Sequence, residues 1–140
     1  MQLAEALDYI RPQKNGVLVT YRRDGRAQLS NITYLVQDDT VAISVTADRA
    51  KSHNATRDPR VELHVTASDF WSYAVLEGTA SLTPAAADPN DATVEQLVQL
   101  YRRLIGEHPD WTDYRSAMVR DRRQVLRISP SRAYGMLARP

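Results

Sequence analysis

Two basic side chains stand close together in the stretch TADRAKSHNATRDP, which begins at Thr46 and contains almost no large apolar residue. We predict a short helix that begins at Arg49, is capped by Thr46 or Asp48, and ends at Asp58. The first amides of a helix lack internal acceptors and carry partial positive charge. Arg49 and Lys51 in that turn oppose the helix dipole by about 0.3–1 kcal/mol each, a placement typical of an anion-binding site. A solvated surface helix would explain the same residues equally well.

Residue types for other chemistry are sparse. The histidines, His53, His64 and His108, share no ligand spacing such as HxH or HExxH, so we expect no metal site. The sequence has no cysteine, no GxSxG motif and no glycine-rich phosphate loop. No residue is therefore assigned a catalytic role. If the protein is an enzyme, a bound organic cofactor brings the reactivity.

Small polar side chains alternate with apolar ones in the strands before the basic stretch. The turn QDDT predicts a hairpin that ends in the strand VAISVT. Alternation then places four polar residues on one face, namely Asn31, Thr33, Ser44 and Thr46. It places four residues on the core face, namely Ile32, Tyr34, Ile43 and Val45. Gln28 and Ser30 fall on the apolar face, so a bulge would be needed to turn them. The polar row suits a planar polar ring with a phosphate tail, or it is a plain solvent-facing surface.

An aromatic pair, Trp71 and Tyr73, begins a later strand in DFWSYAV. Their rings could form the wall of a flat ligand site, but packing in a dimer contact or in the core is the better explanation unless this loop lies near the basic helix. Phe70 beside them is a further candidate for the core.

The remaining elements must position these residues. Strands are predicted over 16–21, 27–36, 41–46, 60–67 and 73–83, followed by QVLRIS and AYGML, which Ser129, Pro130 and Ser131 separate. Six or seven antiparallel strands with peripheral helices predict a mainly β protein that closes into a barrel. We predict one domain over residues 1–140.

Helices are predicted on either side of this sheet. Leu3, Leu7 and Ile10 indicate an N-terminal helix over residues 2–10. A second apolar face, from Val94 to Ile105, indicates a helix capped either by a box of Thr93 and Gln96 or by Asp91. Asp110 can cap a further helix that begins in WTDYRSAMVR.

Composition excludes several classes of protein. With 140 residues, 43% hydrophobic and 25% charged, the chain is an ordinary globular protein about one domain long. A net charge of +1 gives no reason to expect nucleic acid or a membrane surface as partner. The N-terminus MQLAEALDYIRP is not typical of a signal peptide, and no stretch is long enough to span a membrane. We expect a cytoplasmic protein.

These residues together resemble a known family. The run from Gly16 to Val65, which contains LSN and ISVTADRAK, is similar to the pyridoxamine-phosphate-oxidase-like, flavin-binding split β-barrels. FWSYAVLEG and the later LYRRLIGEHPDW resemble the branch that uses the deazaflavin coenzyme F420. The resemblance extends almost to the end of the chain, at Met136. True pyridoxamine phosphate oxidases have a long C-terminal region with arginines for the substrate phosphate, and this sequence lacks it.

The resemblance implies an antiparallel split β-barrel that forms a homodimer, with two cofactor sites at the subunit interface. It assigns contacts with the phosphate, the ring and the ribityl chain to residues on the first strands and the basic helix: Gln28, Ser30, Asn31, Ser44, Thr46, Arg49, Ala50 and Lys51. It assigns a further contact, from the second subunit, to the WSYA segment: Trp71, Ser72, Tyr73 and Ala74. Arg57 and Arg60 are candidates to meet the acidic tail of F420.

The function that the resemblance implies is transfer of hydride from reduced F420 to a small organic acceptor. FMN also presents a ring, a ribityl chain and a phosphate, so an FMN-dependent oxidase or reductase is the alternative enzyme. A non-catalytic carrier of F420 would need the same pocket. The sequence does not choose among acceptors such as a quinone, a tetrapyrrole or a xenobiotic.

Overall fold

Seven strands and four helices make up the protein. The computed structural model describes residues 1–138. Its elements are α1 (Leu3–Ile10), β1 (Asn15–Tyr21), β2 (Ala27–Thr33), β3 (Leu35–Gln37), β4 (Thr40–Thr46), α2 (Ala50–Arg57), β5 (Arg60–Thr66), β6 (Tyr73–Leu82), α3 (Ala92–Leu104), α4 (Trp111–Arg120) and β7 (Arg123–Met136). None of the helices in the described residues is long and apolar enough to cross a membrane.

The strands form one antiparallel sheet in the order β2-β1-β5-β6-β7-β4-β3. The sheet curls until β2 comes into contact with β4, although no strand pairing joins them. The result is a barrel that is split between these two strands, as the mainly β prediction and the resemblance both implied.

Two separate hydrophobic clusters hold the chain together. The larger fills the barrel with fully buried side chains such as Leu18, Leu63 and Leu76, and α1 closes one end of it. The smaller joins α3 and α4 to the outer side of β4 and β7, around Leu97 and Val125. Because β7 contributes to both clusters, it links the barrel to the helical pair.

Two predicted strand boundaries are wrong. The predicted strand over 27–36 is interrupted at Tyr34, whose amide donates to Lys14 O and whose hydroxyl donates to Ile10 O at 2.7 Å. The two predicted C-terminal strands are a single β7, because a register shift in β6 between Glu77 and Gly78 accommodates Pro130.

The helix caps differ partly from the prediction. Arg49 is the N-cap of α2 and no side chain caps that helix, so neither Thr46 nor Asp48 does so. Asp91 caps α3 by accepting from the Val94 amide, which leaves no box with Thr93.

Thr93 is buried instead, and its hydroxyl donates to Pro84 O. The predicted cap of α4 by Asp110 is confirmed, since its side chain accepts from the Asp113 amide.

Candidate functional site

A cavity of about 570 Å³ opens at the split of the barrel. The predicted polar row lines it from both sides of the split, with Asn31 and Thr33 on β2 and Ser44 and Thr46 on β4. The predicted hairpin is also confirmed, since Gln37 pairs with Thr40. The apolar residues that alternate with the polar row lie in the barrel core, as predicted: Ile32, Tyr34, Ile43 and Val45. The split therefore exposes small hydrogen-bonding groups at a place where no strand covers them.

Three cationic side chains meet at one end of this cavity. Arg49 and Lys51 reach it from the start of α2, and Arg123 reaches it from the start of β7. Arg123 is the cross-strand neighbour of Thr46, and its Nη1 donates to Ser44 Oγ at 3.4 Å. No acidic side chain lines the cavity within the described part of the chain. Burial, and next the charges of Arg49 and Arg123, lower the pKa of Lys51 below its usual value.

Two polar atoms at this end have no protein partner. Thr46 Oγ1 and Arg123 Nε are buried, and within residues 1–138 neither makes a hydrogen bond. Leaving such an atom unsatisfied costs about 1–3 kcal/mol, so native sites rarely retain one without a reason. One buried hydroxyl and one guanidinium N–H beside Arg49 and Lys51 match the donor set that a phosphate group requires. An anionic group bearing oxygen atoms therefore fits the cationic end of the cavity.

The opposite wall of the cavity belongs to the helical pair. Apolar and aromatic side chains from α3 and α4 form it: Leu100, Tyr101, Leu104, Ile105, Tyr114 and Met118. Burial raises the pKa of Tyr114 to about 12, so this ring stays neutral. The cavity is therefore cationic at one end, polar along the strands and apolar along the helices, which suits a flat molecule with a charged tail.

A cluster of four rings fixes this wall. Tyr101, His108, Trp111 and Tyr114 all contact one another, with ring centroids between 5.0 and 5.6 Å apart. The hydroxyl of Tyr114 donates to Leu97 O at 3.0 Å, which ties α4 to α3. His108 Nδ1 accepts from the Asp110 amide, so this histidine serves the packing of the helices.

The other predicted residues of the first strands lie apart from the cavity. Strand β2 pairs with β1 without a break, so the bulge that would have turned Gln28 and Ser30 does not form. Gln28 lines a shallow depression on the far side of α2, which Ala50 and Arg57 also line. Ser30 is half-buried beside Leu18 on β1.

The aromatic segment also lies apart from the cavity within one chain. Trp71 is 71% exposed, whereas Ala74 is completely buried in the barrel core. Ser72 is held by Asp69, which accepts from both its amide and its hydroxyl. Tyr73 stacks on His64 at 5.5 Å, on the outer face of the sheet.

The two arginines predicted to meet an acidic tail are engaged within the chain. Arg60 pairs with Asp58 at 2.8 Å and lies over the ring of Tyr21. Arg57 donates to Asn54 Oδ1 and to the backbone oxygen of Tyr21.

Sequence reasoning missed Arg123 and the wall of α3 and α4. Arg123 stands in the run RDRR with nothing local to distinguish it from its neighbours. Only the pairing of β7 with β4 brings it beside Thr46. The apolar face of α3 was recognised, but not that Tyr101 and Ile105 turn toward a cavity.

No group of three histidine, cysteine or acidic side chains is close enough to hold a metal ion within residues 1–138.

Comparison with known proteins identifies related folds. The family model described as pyridoxamine 5'-phosphate oxidase matches residues 3–137. A conserved hypothetical protein from Mycobacterium tuberculosis, Rv2991, has a TM-score of 0.75 at 24% identity, over 96% of this chain and 84% of that protein. An F420 reductase has a TM-score of 0.71 at 20% identity, over 91% of this chain and 94% of that protein. HutZ, the heme storage protein of Vibrio cholerae, has a TM-score of 0.69 at 13% identity, over 96% of this chain and 95% of that protein. At these identities the three structures share the fold.

Proposed function

Because the chain belongs to the pyridoxamine 5'-phosphate oxidase family, we propose that it is an oxidoreductase that binds coenzyme F420. In this proposal the reduced coenzyme supplies a hydride to a small organic acceptor. The protein contributes a site that holds the coenzyme and excludes water from its ring.

The observation that carries the proposal is the cavity at the split. Its cationic end has two buried polar atoms without a protein partner, and Arg49 and Lys51 stand beside them without an acidic neighbour in the cavity. We assign the cofactor phosphate to this end. Asn31 on β2, and Ser44, whose Oγ accepts from Arg123, are assigned to the ribityl chain and the polar edge of the ring.

The helical wall supports hydride transfer because it keeps water from the ring. Hydride transfer needs the donor and acceptor carbons held close together in a dry site, and it needs no acid, base or nucleophile from the protein to begin. Tyr101 and Leu104 cover the cavity with apolar surface, and the ring cluster holds Tyr101 in place. These side chains orient the ring and leave room for an acceptor beside it.

A second copy of the chain completes the proposed site. The segment from Trp71 to Ala74 does not reach the cavity of its own chain, yet it carries an aromatic ring that is largely exposed. We propose that the protein is a homodimer in which this segment contacts the cofactor bound to the partner subunit. The assignment of Ser72 and Tyr73 to the site rests on this dimer.

F420 is preferred to FMN because of the branch-specific segments FWSYAVLEG and LYRRLIGEHPDW, and a structural neighbour named as an F420 reductase supports it. The cationic end of the cavity would also hold FMN, because both cofactors carry a phosphate after the ribityl chain. An FMN-dependent oxidase or reductase is therefore the second candidate function.

Titration of the purified apo-protein with each cofactor separately tests the proposal. We expect F420 to bind more tightly than FMN, and reduced F420 to be oxidised when a suitable acceptor is added. Deuterium placed at the reactive ring carbon should then appear in the product. Tight FMN retention through purification would establish the alternative enzyme, and firm F420 binding without turnover over a broad acceptor panel would indicate a carrier.

A further inference from the structure

We infer that Arg123 is a third ligand of the bound anionic group, and that the ligand places two negative charges where Arg49, Lys51 and Arg123 meet. The inference rests on the proposed function only in taking the anionic group to be part of a cofactor. It concerns Arg123, to which the family resemblance assigns no contact.

The charges around the cavity are unbalanced. Five arginines elsewhere in the described chain pair with acidic side chains, as Arg60 does with Asp58 and Arg115 with Glu95. Arg49, Lys51 and Arg123 line one cavity to which no acidic residue contributes. Three cations held together without a counter-ion repel one another. Burial lowers the pKa of Lys51 most, and the charges of Arg49 and Arg123 lower it further. A single negative charge would leave two of them unbalanced, whereas two negative charges neutralise most of the cluster.

The geometry of Arg123 indicates direct contact. Its Nη1 is occupied by a long hydrogen bond to Ser44 Oγ, whereas its Nε is buried without a partner. A guanidinium binds phosphate through two of its N–H groups at once, and the free Nε is one of that pair. Thr46 Oγ1, directly across the strand pair, is buried and unpartnered as well. One phosphate beside the side chains of Thr46 and Arg123 would satisfy both atoms.

Two kinds of ligand carry this chemistry. A phosphomonoester, such as the terminal group of FMN, carries both charges on one phosphorus. The phosphate of F420 is esterified on both sides and carries one charge, so the second must come from a carboxylate of the acidic tail. Both place two negative charges within reach of the cluster, and the experiments below distinguish them.

The first experiment uses small anions and the melting temperature. At mildly alkaline pH, inorganic phosphate is mainly a dianion, whereas dimethyl phosphate is a monoanion of similar size. We expect phosphate, and not dimethyl phosphate at equal ionic strength, to raise the melting temperature of the wild-type protein. Arg123→Met should abolish that increase. Arg132→Met, which removes an exposed arginine of the same strand, should keep it.

The second experiment compares cofactors that differ only in the anionic group. Arg123→Met should weaken FMN binding by about tenfold to a hundredfold and leave riboflavin, which lacks the phosphate, unchanged. If F420 binds, removal of its glutamate tail should weaken binding to the wild type far more than to Arg123→Met. Arg123→Lys, which keeps the charge but not the paired N–H groups, should show an intermediate loss. Arg123→Lys also provides the test if Arg123→Met does not fold.

The outcomes separate this inference from the proposed function. Equal stabilisation by both small anions, or by neither, would overturn the assignment of two charges. An equal loss of riboflavin and FMN affinity in Arg123→Met would show that Arg123 supports the fold or the ring rather than the phosphate. A protein that binds FMN but not F420 would end the F420 proposal, while the effect of Arg123 on FMN would still test the inference.

Discussion

Lys51 is a partly buried lysine in a cluster of cations, and its protonation is therefore sensitive to what the cavity contains. Burial and the charges of Arg49 and Arg123 lower its pKa in the free protein. Tyr101 and Tyr114 face the same cavity from the helical wall, and the pKa of Tyr114 is raised to about 12 by burial. A bound anion would offset the repulsion and raise the pKa of Lys51 again.

Cofactor affinity should consequently depend on pH through Lys51. The pKa of Lys51 lies below 10.5 in the free protein and is higher in the complex. At a pH between these two values, Lys51 takes up a proton when the cofactor binds. The affinity for the cofactor therefore falls as pH rises through this range. Calorimetric titration in two buffers of different ionisation enthalpy measures this uptake. Lys51→Arg, which does not titrate, should show none.

Lys51→Ala should weaken binding by about 1.5–3 kcal/mol, the range for a charge-assisted hydrogen bond, at an unchanged melting temperature. Proton uptake that persists in Lys51→Arg would assign the linkage to another group, and wild-type affinity in Lys51→Ala would remove Lys51 from the site.

At the scale of elements, the helical wall of the cavity depends on its caps as well as on its rings. Asp91 is the N-cap of α3, and its carboxylate accepts from the amides of Ala87, Asp88 and Val94. These backbone hydrogen bonds lower the pKa of Asp91 below 3.8. One side chain therefore fixes both the start of the helix and the loop that leads into it.

Asp91→Ala should reduce the free energy of unfolding by about 0.5–2 kcal/mol, as other losses of an N-cap do. Folding lowers the pKa of Asp91 below its unfolded value of 3.8. The stabilisation that its carboxylate provides is therefore complete above pH 3.8, and it is lost as the pH falls through the lower pKa of the folded protein. Denaturant unfolding at neutral and acidic pH should show the difference between wild type and variant shrinking in acid. Asp113→Ala, in the first turn of α4, is the control, because its carboxylate accepts no backbone hydrogen bond within the described residues.

The elements that sequence predicted well are those whose signals are local. The Asp-Gly turn at Gly25, the hairpin before Thr40 and the cap at Asp110 follow from neighbouring residues, and each forms. The continuity of β7 through Pro130 could not be predicted, because it depends on a register shift opposite Gly78, which is distant in sequence.

In the candidate site, too, local patterns predicted some residues and could not predict others. Alternation placed Asn31 and Ser44 on one face correctly, since each position follows from its own strand. It could not find Arg123, because that residue meets Thr46 only through the order of strands in the sheet. The contacts assigned to Gln28 and to Trp71 remain predictions, because neither residue lies at the cavity of its own chain.

At the scale of the whole molecule, the sheet has an outer face that leads to the cavity. Pairing places Asn31, Val17, His64, Val75 and Tyr134 in one row across β2, β1, β5, β6 and β7. The row lies opposite the barrel core, and Asn31 at its end also lines the cavity. A partner seated on this face would therefore lie beside the site.

Exposed apolar side chains around this face also favour a partner. Several large apolar side chains lie exposed at its edges, namely Leu29, Phe70, Trp71, Tyr134 and Met136. Exposed apolar patches of this kind mark interaction sites.

We predict that sedimentation will show a species near twice 15.8 kDa. Tyr134→Glu, on the outer face, should yield monomers and weaken cofactor binding, because the segment from Trp71 to Ala74 would no longer reach the partner's site. Arg103→Glu, on the exposed side of α3, should change neither property. A monomeric wild type that binds cofactor at full strength would rule out the shared site.

The separation of the two hydrophobic clusters has a consequence for how such proteins diverge. The barrel cluster and the cluster under α3 and α4 have no side chain in common in the described chain, so substitutions in the helical pair leave the interior of the barrel undisturbed. Related proteins can then keep the anion-binding end of the cavity unchanged, while Leu104 and Ile105 are substituted under selection for a new acceptor. We expect the acceptor range among related chains to follow the helical pair, and retention of the anion-binding end to follow α2, β4 and β7.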